Sequence, residues 1–356
     1  MTADPTVDVI IPVHSEVRPI ARAVASVLDG TSEPVRVSIV CHNIQPQLIR
    51  ASLGPWADDA RVRLLELADG IPSPAGPINY GLGAATGSFT CLLDSDDTYE
   101  FGAIDSWMRH QRSTGADIVM ATLKYAAGGR VRTPVRPFRS RGLDGVRDRL
   151  AYRTRQHGLV SSKRFPDLRL TAGLRTGEDI EQGLTLWFSD ARISFDRRGP
   201  GYLIHEDFGD RASVSAKTVA EDFGFLDTIL APDFAPADPR ARESIAIKQL
   251  RTHLMEALVA RLIGTRRLAD DERLALARVV DRIHEFSPTA ASVLSVRDRR
   301  IITWARAGLV DDEARLADLA ARKDYRRPQN LLSASPRLML HREAPLRFLA
   351  ATAVAV

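Results

Sequence analysis

The run Phe89-Thr-Cys-Leu-Leu93, closed by Asp94-Ser95-Asp96-Asp97, constrains this chain more than any other stretch. A short, almost unbroken apolar run suits a strand covered on both faces, the habit of parallel sheets with helices on either side. It stops in three carboxylates within four residues. In open α/β sheets ligands bind beyond the carboxyl ends of the strands, so this strand delivers its acids where a ligand would sit. Like charges packed so closely repel unless a cation or several hydrogen-bond donors lie among them. An oxygen-only donor set suits a hard divalent ion, Mg²⁺ or Mn²⁺, shared with substrate phosphates. The alternative is a helix N-terminus capped by Asp and Ser, but one cap does not require three carboxylates.

The upstream segments fit such a sheet. Val7-Asp-Val-Ile-Ile-Pro-Val13 reads as a buried strand, with Pro12 at its end where no ladder donor is needed. After the turn His14-Ser15-Glu16, apolar residues recur at helical spacing over Pro19–Leu28 and Gly30 closes the helix. Val35–Val40 is a second strand ending in Cys41-His42-Asn43, Gln45–Leu53 a helix, and Val62–Leu67 a third strand. Asp69–Pro77 is a Pro- and Gly-rich loop, and Ile78–Ala85 a helix whose Gly81, Gly83, Ala84 and Ala85 allow close packing. The order β-α-β-α-β-α-β with short connections predicts a doubly wound, mostly parallel α/β domain.

The rest of the chain narrows the class. At 356 residues there is room for one large core and a substantial extension. A net charge of +4 is too small for an electrostatic grip on nucleic acid, so no nucleic-acid partner is expected. Cys41 and Cys91 lie in or beside apolar runs and read as reduced, buried thiols, which favours the cytosol. No signal-peptide pattern opens the chain, and no apolar run reaches the ~18 residues of a spanning helix. The expected location is cytoplasmic, soluble or peripheral at the inner face of the membrane.

Four motifs occur in order: Val9-Ile-Ile-Pro-Val-His-Ser-Glu16, Asn79-Tyr-Gly-Leu-Gly-Ala-Ala-Thr-Gly87, Leu93-Asp-Ser-Asp-Asp97 and Gly177-Glu-Asp179. Together, over roughly residues 6 to 215, they resemble the family 2 glycosyltransferases, which have the GT-A nucleotide-sugar fold. The resemblance implies inverting transfer of a sugar from a nucleotide diphosphate donor, UDP being favoured, with Mn²⁺ or Mg²⁺ as the cofactor. By the same resemblance Pro12 and Val13 meet the nucleotide base, His14 sits where an aromatic stacks on it, and Glu16 and Asn79 fall in donor-binding motifs. Asp94 and Asp96 correspond to the outer members of the family's metal motif, with Ser95 between them on the donor. Asp179 matches the catalytic base, with Glu178 beside it as orienting residue or substitute. The closing segment Gly201–Ser213 would bring His205 to the metal, and Arg211 and Ser213 to the phosphates. Two positions depart from the family pattern. The second strand ends in His42-Asn43 rather than in an Asp pair that reads the base, and Ile78 replaces an Arg before Asn79.

Some of these residues have plainer readings. Glu178-Asp179 would also serve as a pair at a helix start, and His205 as a structural histidine. A nucleotidyltransferase would use similar acids, but Pro12–Glu16 is no Gly- and Arg-rich phosphate loop. An inactive nucleotide-sugar-binding module would have no need of Asp94, Asp96 and Asp179 together.

Residues 130 to 164 hold 11 Arg or Lys against only Asp144 and Asp148. Beside an acceptor site such charge, notably Arg136, Arg139 and Arg141, would attract a phosphate-bearing or lipid-linked glycan acceptor, unless it is an ordinary solvated face. His157–Lys163 and Arg192–Phe195 read as strands and Ile180–Phe188 as a helix. The domain organisation expected is a GT-A catalytic domain over 1–215, split into a nucleotide-sugar half (6–129) and an acceptor side (130–215). A helical C-terminal region over 216–356 follows. Ala246–Leu262, Asp270–Phe286 and Asp311–Lys323 are amphipathic at helical period, suited to packing on the catalytic domain or to forming a homo-oligomer. The apolar Ala344–Val356 is too short to span a bilayer but suits a membrane surface.

Overall fold

The structure, a computed structural model, describes residues 6–207, 217–265, 268–309 and 313–354. Strands β1 (Val7–Val13), β2 (Val35–His42), β3 (Val62–Leu67) and β4 (Phe89–Leu92) run parallel, with β1 paired to both β2 and β4. Alternation along β1 shows why both faces are apolar. Val7, Val9, Ile11 and Val13 pack on one side with helices α1 (Ile20–Leu28) and, later, α4 (Ala103–Thr114). Ile10 packs on the other with Ile78 of α3 (Ala75–Ala84). Gly81 lets α3 settle onto the sheet, since a Cβ there would lie 2.4 Å from the Ile10 Cγ2 methyl. Helix α2 (Pro46–Ser52) links β2 to β3.

After β4 the chain leaves the first half-sheet. β5 (Thr98–Tyr99), β7 (Leu123–Tyr125), β8 (Arg130–Val131) and β12 (Tyr202–Ile204) form a small second sheet in the order β5-β12-β7-β8. β6 (Ile118–Ala121), β9 (Arg141–Leu143), β10 (Gly158–Ser161) and β11 (Ile193–Asp196) complete the large sheet, in the order β3-β2-β1-β4-β10-β6-β11-β9. β10 is antiparallel to both neighbours, so the sheet is mostly rather than wholly parallel.

The helical C-terminal region is present and is not a separate layer. Its apolar residues, including Leu250, Leu254, Leu258 and Ile283, share one core with Ile180 and Leu184 of α5 (Ile180–Trp187) and with Ala151. The segment read as one helix over Ala246–Leu262 is two, Pro239–Lys248 and Met255–Thr265, joined by a π-helical turn at Gln249–Leu254. Helices at Asp270–Phe286, Val296–Arg306 and Pro345–Val354 follow among others. Among the described residues, no helix is long and apolar enough to cross a membrane. Cys41 and Cys91 are free and buried.

Candidate active site

The acid cluster lies where β4 ends and the chain crosses to the second sheet. Leu93 still donates to the Ile10 carbonyl, at 3.0 Å, and the Asp97 N–H then closes a turn on the Asp94 carbonyl at 3.1 Å. Each carboxylate takes its shortest bond from a different partner, although the Tyr202 hydroxyl also reaches Asp94 Oδ2 at 3.3 Å. Asp94 Oδ2 accepts from Arg155 Nη1 at 2.7 Å, and Asp96 Oδ2 from Arg18 Nη1 at 2.6 Å. Arg22 donates to the Asp96 carbonyl at 2.5 Å. Asp97 Oδ2 accepts from the Tyr202 hydroxyl at 2.7 Å, and its Oδ1 from the His205 backbone N–H at 2.8 Å.

Burial works against charge on Asp97, and the Asp94 charge adds to it, pushing its pKa up to about 6. Asp94 is half-buried, and Arg155 holds its carboxyl below the usual range. One cluster thus contains an acid whose charge is favoured and another whose proton is held more tightly than usual. Tyr202 stays protonated, because burial, then Asp94 and Asp97, raise its pKa far above the ordinary value.

Arg155 is the residue that sequence reading passed over, being one of eleven basic residues in its segment. Its Nε and Nη2 are buried and have no hydrogen-bond partner. Burial opposes its charge, yet Asp94 raises its pKa, with Asp179 contributing more weakly. The guanidinium therefore links the Asp94 end of the site to the Glu178-Asp179 pair.

Glu178 and Asp179 precede α5. Asp179 is its N-cap by position, but its side chain makes no capping hydrogen bond. That separates it from a plain helix cap. Burial raises the Asp179 pKa, while Arg155, Lys248 and a hydrogen bond from Thr154 pull against this. Glu178 is pushed up to about 7, first by burial and then by the Asp179 charge. Gly177, at φ +76°, turns the chain into this pair, and a Cβ there would lie 2.6 Å from the Phe225 ring. Lys248 comes from the C-terminal region. The π-helical turn brings its Nζ 2.8 Å from His253 Nε2, and burial lowers its pKa to about 8.

The donor-side residues gather at the carboxyl ends of β1 and β2. Pro12 and Val13 end β1 beside Cys41, while His14 and Glu16 are exposed in the turn that follows. His42 is buried, with Nε2 2.8 Å from Asp69 Oδ1, and Asn43 Nδ2 is 3.1 Å from the same nitrogen. Asn43 adopts φ +56° and accepts from the Gly70 N–H at 2.9 Å. The Asp absent from the end of β2 is thus matched by one from the loop after β3. No local pattern marked Asp69, since only the parallel pairing of β2 with β3 brings it near. The Asn79 amide bonds reciprocally to Leu170, Nδ2 donating at 2.9 Å and Oδ1 accepting at 2.8 Å, and so ties residues 168–170 over α3. Ser95 is buried within the acid turn.

His205 Nε2 lies 2.9 Å from Thr98 Oγ1. Arg211 and Ser213 lie outside the described residues. Among the described residues no three His, Cys, Asp or Glu side chains converge as a metal centre. The basic segment is less bare than its composition suggests. Arg136 makes a bidentate pair with Asp148, at 2.7 Å for each bond, and Arg153 is buried against Thr133 and the Ala121 carbonyl. Arg139 and Arg141 are exposed, Arg141 on the edge strand β9.

A mostly parallel sheet that delivers paired acids to the carboxyl end of its central strand, with a helical C-terminal region, is consistent with a GT-A-like fold. Residues 8–164 match the family model of glycosyl transferase family 2. Over these residues, which are under half of the chain, it is similar to that family. Over 122 residues it is 32% identical to the succinoglycan biosynthesis protein ExoO of Rhizobium meliloti (strain 1021). That alignment covers 33% of each protein, so it spans about a third of the relative's length. Among solved structures, S. aureus TarS 1-349 matches with a TM-score of 0.68 at 16% identity, over 90% of this chain and 92% of that one. Its complex with UDP-GlcNAc matches at 0.64 and 15% identity, and its complex with UDP at 0.69 and 13%, each with the same coverage. At such identities the likeness is one of fold.

Proposed function

We propose that this protein is an inverting glycosyltransferase. It moves a hexosyl group from a nucleotide diphosphate donor, UDP-sugar favoured, to a hydroxyl of a surface-polysaccharide or lipid-linked acceptor. The observation that carries this reading is the link through Arg155, which couples Asp94 on the donor side to Asp179 on the acceptor side. The UDP and UDP-GlcNAc complexes of the TarS fold support the donor class, and ExoO supports polysaccharide assembly.

In this mechanism Asp179 accepts the proton of the acceptor hydroxyl as its oxygen attacks the anomeric carbon. Attack comes from the face opposite the diphosphate, whose C–O bond breaks with the electron pair leaving on the nucleotide. The anomeric configuration inverts. Arg155 orients Asp94, and its unpartnered Nε and Nη2 are placed to take an anionic oxygen. Arg18 fixes Asp96 in the same way.

The donor set fits a hard divalent cation. Asp94 and Asp96 each commit Oδ2 to a guanidinium, which leaves Oδ1 of each as an oxygen ligand. The remaining ligands would be diphosphate oxygens and water. Mn²⁺ or Mg²⁺ bound there would neutralise charge developing on the leaving diphosphate.

The test is hydrolysis and transfer across a panel of nucleotide sugars, with Mn²⁺, with Mg²⁺ and with EDTA. Turnover of a UDP-sugar that EDTA abolishes is expected. Turnover indifferent to EDTA would replace the metal by Arg155 and Arg18 as the diphosphate's counter-charge. No turnover of any nucleotide sugar would overturn the assignment.

A further inference from the structure

A pocket of about 880 Å³ lies between the basic segment and the C-terminal region, and its lining includes none of the residues assigned to sugar transfer except Arg136. Six arginines line it, with Glu243 and Glu343; Arg136 is paired with Asp148 and Arg240 with Asp238, which leaves the excess on Arg147, Arg149, Arg342 and Arg347. The excess is built into the floor. Glu343 is fully buried and is shared by two buried guanidiniums, with Arg251 Nη1 at 2.7 Å from Oε2 and Arg149 Nε at 3.7 Å from Oε1. One carboxylate thus faces two buried cations, whose other N–H groups go to neutral acceptors, the Pro134, Arg342 and Glu343 carbonyls and the Tyr152 hydroxyl, so the floor carries net positive charge. Arg342 Nη1 is also buried without a hydrogen-bond partner. Burial is what depresses the Arg149 pKa, against the pull of Glu343.

The other side of the pocket is aliphatic. Val146, Ala350, Ala351 and Val354 line it, the last three from the C-terminal helix, and Leu340 beside them is 82% exposed. Guanidinium forks suit phosphate oxygens, and the aliphatic wall suits a carbon chain carrying them.

We propose that this pocket binds a phosphate mono- or diester carried on an aliphatic chain. It would hold the phosphate of the acceptor, or of an anionic lipid, while Asp94, Asp96 and Asp179 act elsewhere. The acceptor role rests on the glycosyltransferase reading, whereas binding itself does not and is measured without sugar transfer.

The experiment uses the full chain. Calorimetric titration with inorganic phosphate and with glycerol 3-phosphate tests the soluble source. Co-sedimentation with phosphatidylcholine vesicles, with and without phosphatidylglycerol, tests the lipid source. Saturable binding to either probe is expected, weakened by salt. Arg147→Gln with Arg347→Gln should weaken it by roughly tenfold or more and leave donor hydrolysis unchanged. Both side chains are exposed, so the melting temperature should hold. Arg147→Glu with Arg347→Glu gives a second reading and should abolish binding. Binding of the soluble esters identifies a free phosphate chain, and binding of the anionic vesicles alone identifies a headgroup. No saturable binding by the wild type, or binding at wild-type strength by both double variants, overturns the proposal.

Discussion

Arg155 Nη1 donates to Asp94 Oδ2 at 2.7 Å, and the same guanidinium helps to keep Asp179 ionised. A cation shared in this way couples donor binding to the state of the base. Arg155→Gln removes the charge while keeping a donor. The donor KM should rise at least roughly tenfold, since a charge-assisted bond and a counter-ion are lost together. The acid limb of the activity profile should also move to higher pH, because Asp179 loses the first of the charges that hold its pKa down. An unchanged KM and an unmoved limb would show that Arg155 is only structural.

Asp179→Asn separates the base from the cap. The side chain makes no bond to the start of α5, so stability should scarcely change. Transfer should fall by roughly 10²–10⁴ while donor binding persists. The check is single-turnover transfer beside a thermal melt. A large drop in melting temperature with activity per folded molecule retained would return Asp179 to helix capping.

The sheet and the acids were legible for different reasons from the contacts between them. β1 and β3 follow directly from their apolar runs, and the acid turn follows β4 as its composition implies. α3 starts at Ala75 rather than Ile78, because Pro74 and Pro77 fit a first helical turn as well as a loop. α4 carried a readable signal that went unread, with Ala103, Ile104, Trp107 and Met108 buried at helical spacing between Gly102 and Gly115. Arg155 and Asp69 could not be read in this way. Their partners lie 61 and 27 residues away, and neither belongs to a local pattern. The basic segment misled for the same reason, since its composition counts charges and says nothing of Arg136 folding back on Asp148.

Glu178 gives the site a pH signature. Its pKa rises from an ordinary 4.5 to about 7 in the folded protein, so the folded state holds the proton more tightly than the unfolded chain. The stability it contributes is full below about pH 4.5 and is lost as pH rises through about 7, by up to about 3 kcal/mol. Glu178→Gln carries no proton to lose. Its unfolding free energy should therefore change less between pH 5 and 8 than that of the wild type, by up to about the same 3 kcal/mol. Parallel curves for the two proteins in urea melts across that range would rule out the raised pKa.

The last prediction concerns the nucleotide. His42 Nε2 lies 2.8 Å from Asp69 Oδ1, and Asn43 Oδ1 accepts from the Gly70 N–H at 2.9 Å, so two loops close together at the carboxyl end of β2. Asp69 is held below the usual carboxylate range, first by the Ile71 N–H and then by His42. It is an ionised acceptor at neutral pH, exposed next to a buried imidazole. A base edge offering an N–H donor, as uracil does, would find its acceptor here although β2 itself ends in no Asp. Asp69→Asn replaces one acceptor oxygen by a donor and removes the charge. A site built to hydrogen-bond one base loses discrimination when its polar partner is changed, so the KM for a UDP-sugar should rise by roughly tenfold. The kcat should hold, because Asp94, Asp96 and Asp179 are untouched. The preference for UDP- over CDP-sugars should narrow by a similar factor, since cytosine presents an acceptor N3 where uracil presents an N–H. Steady-state kinetics with matched UDP- and CDP-hexoses checks this, and an unaltered preference would move base recognition away from Asp69.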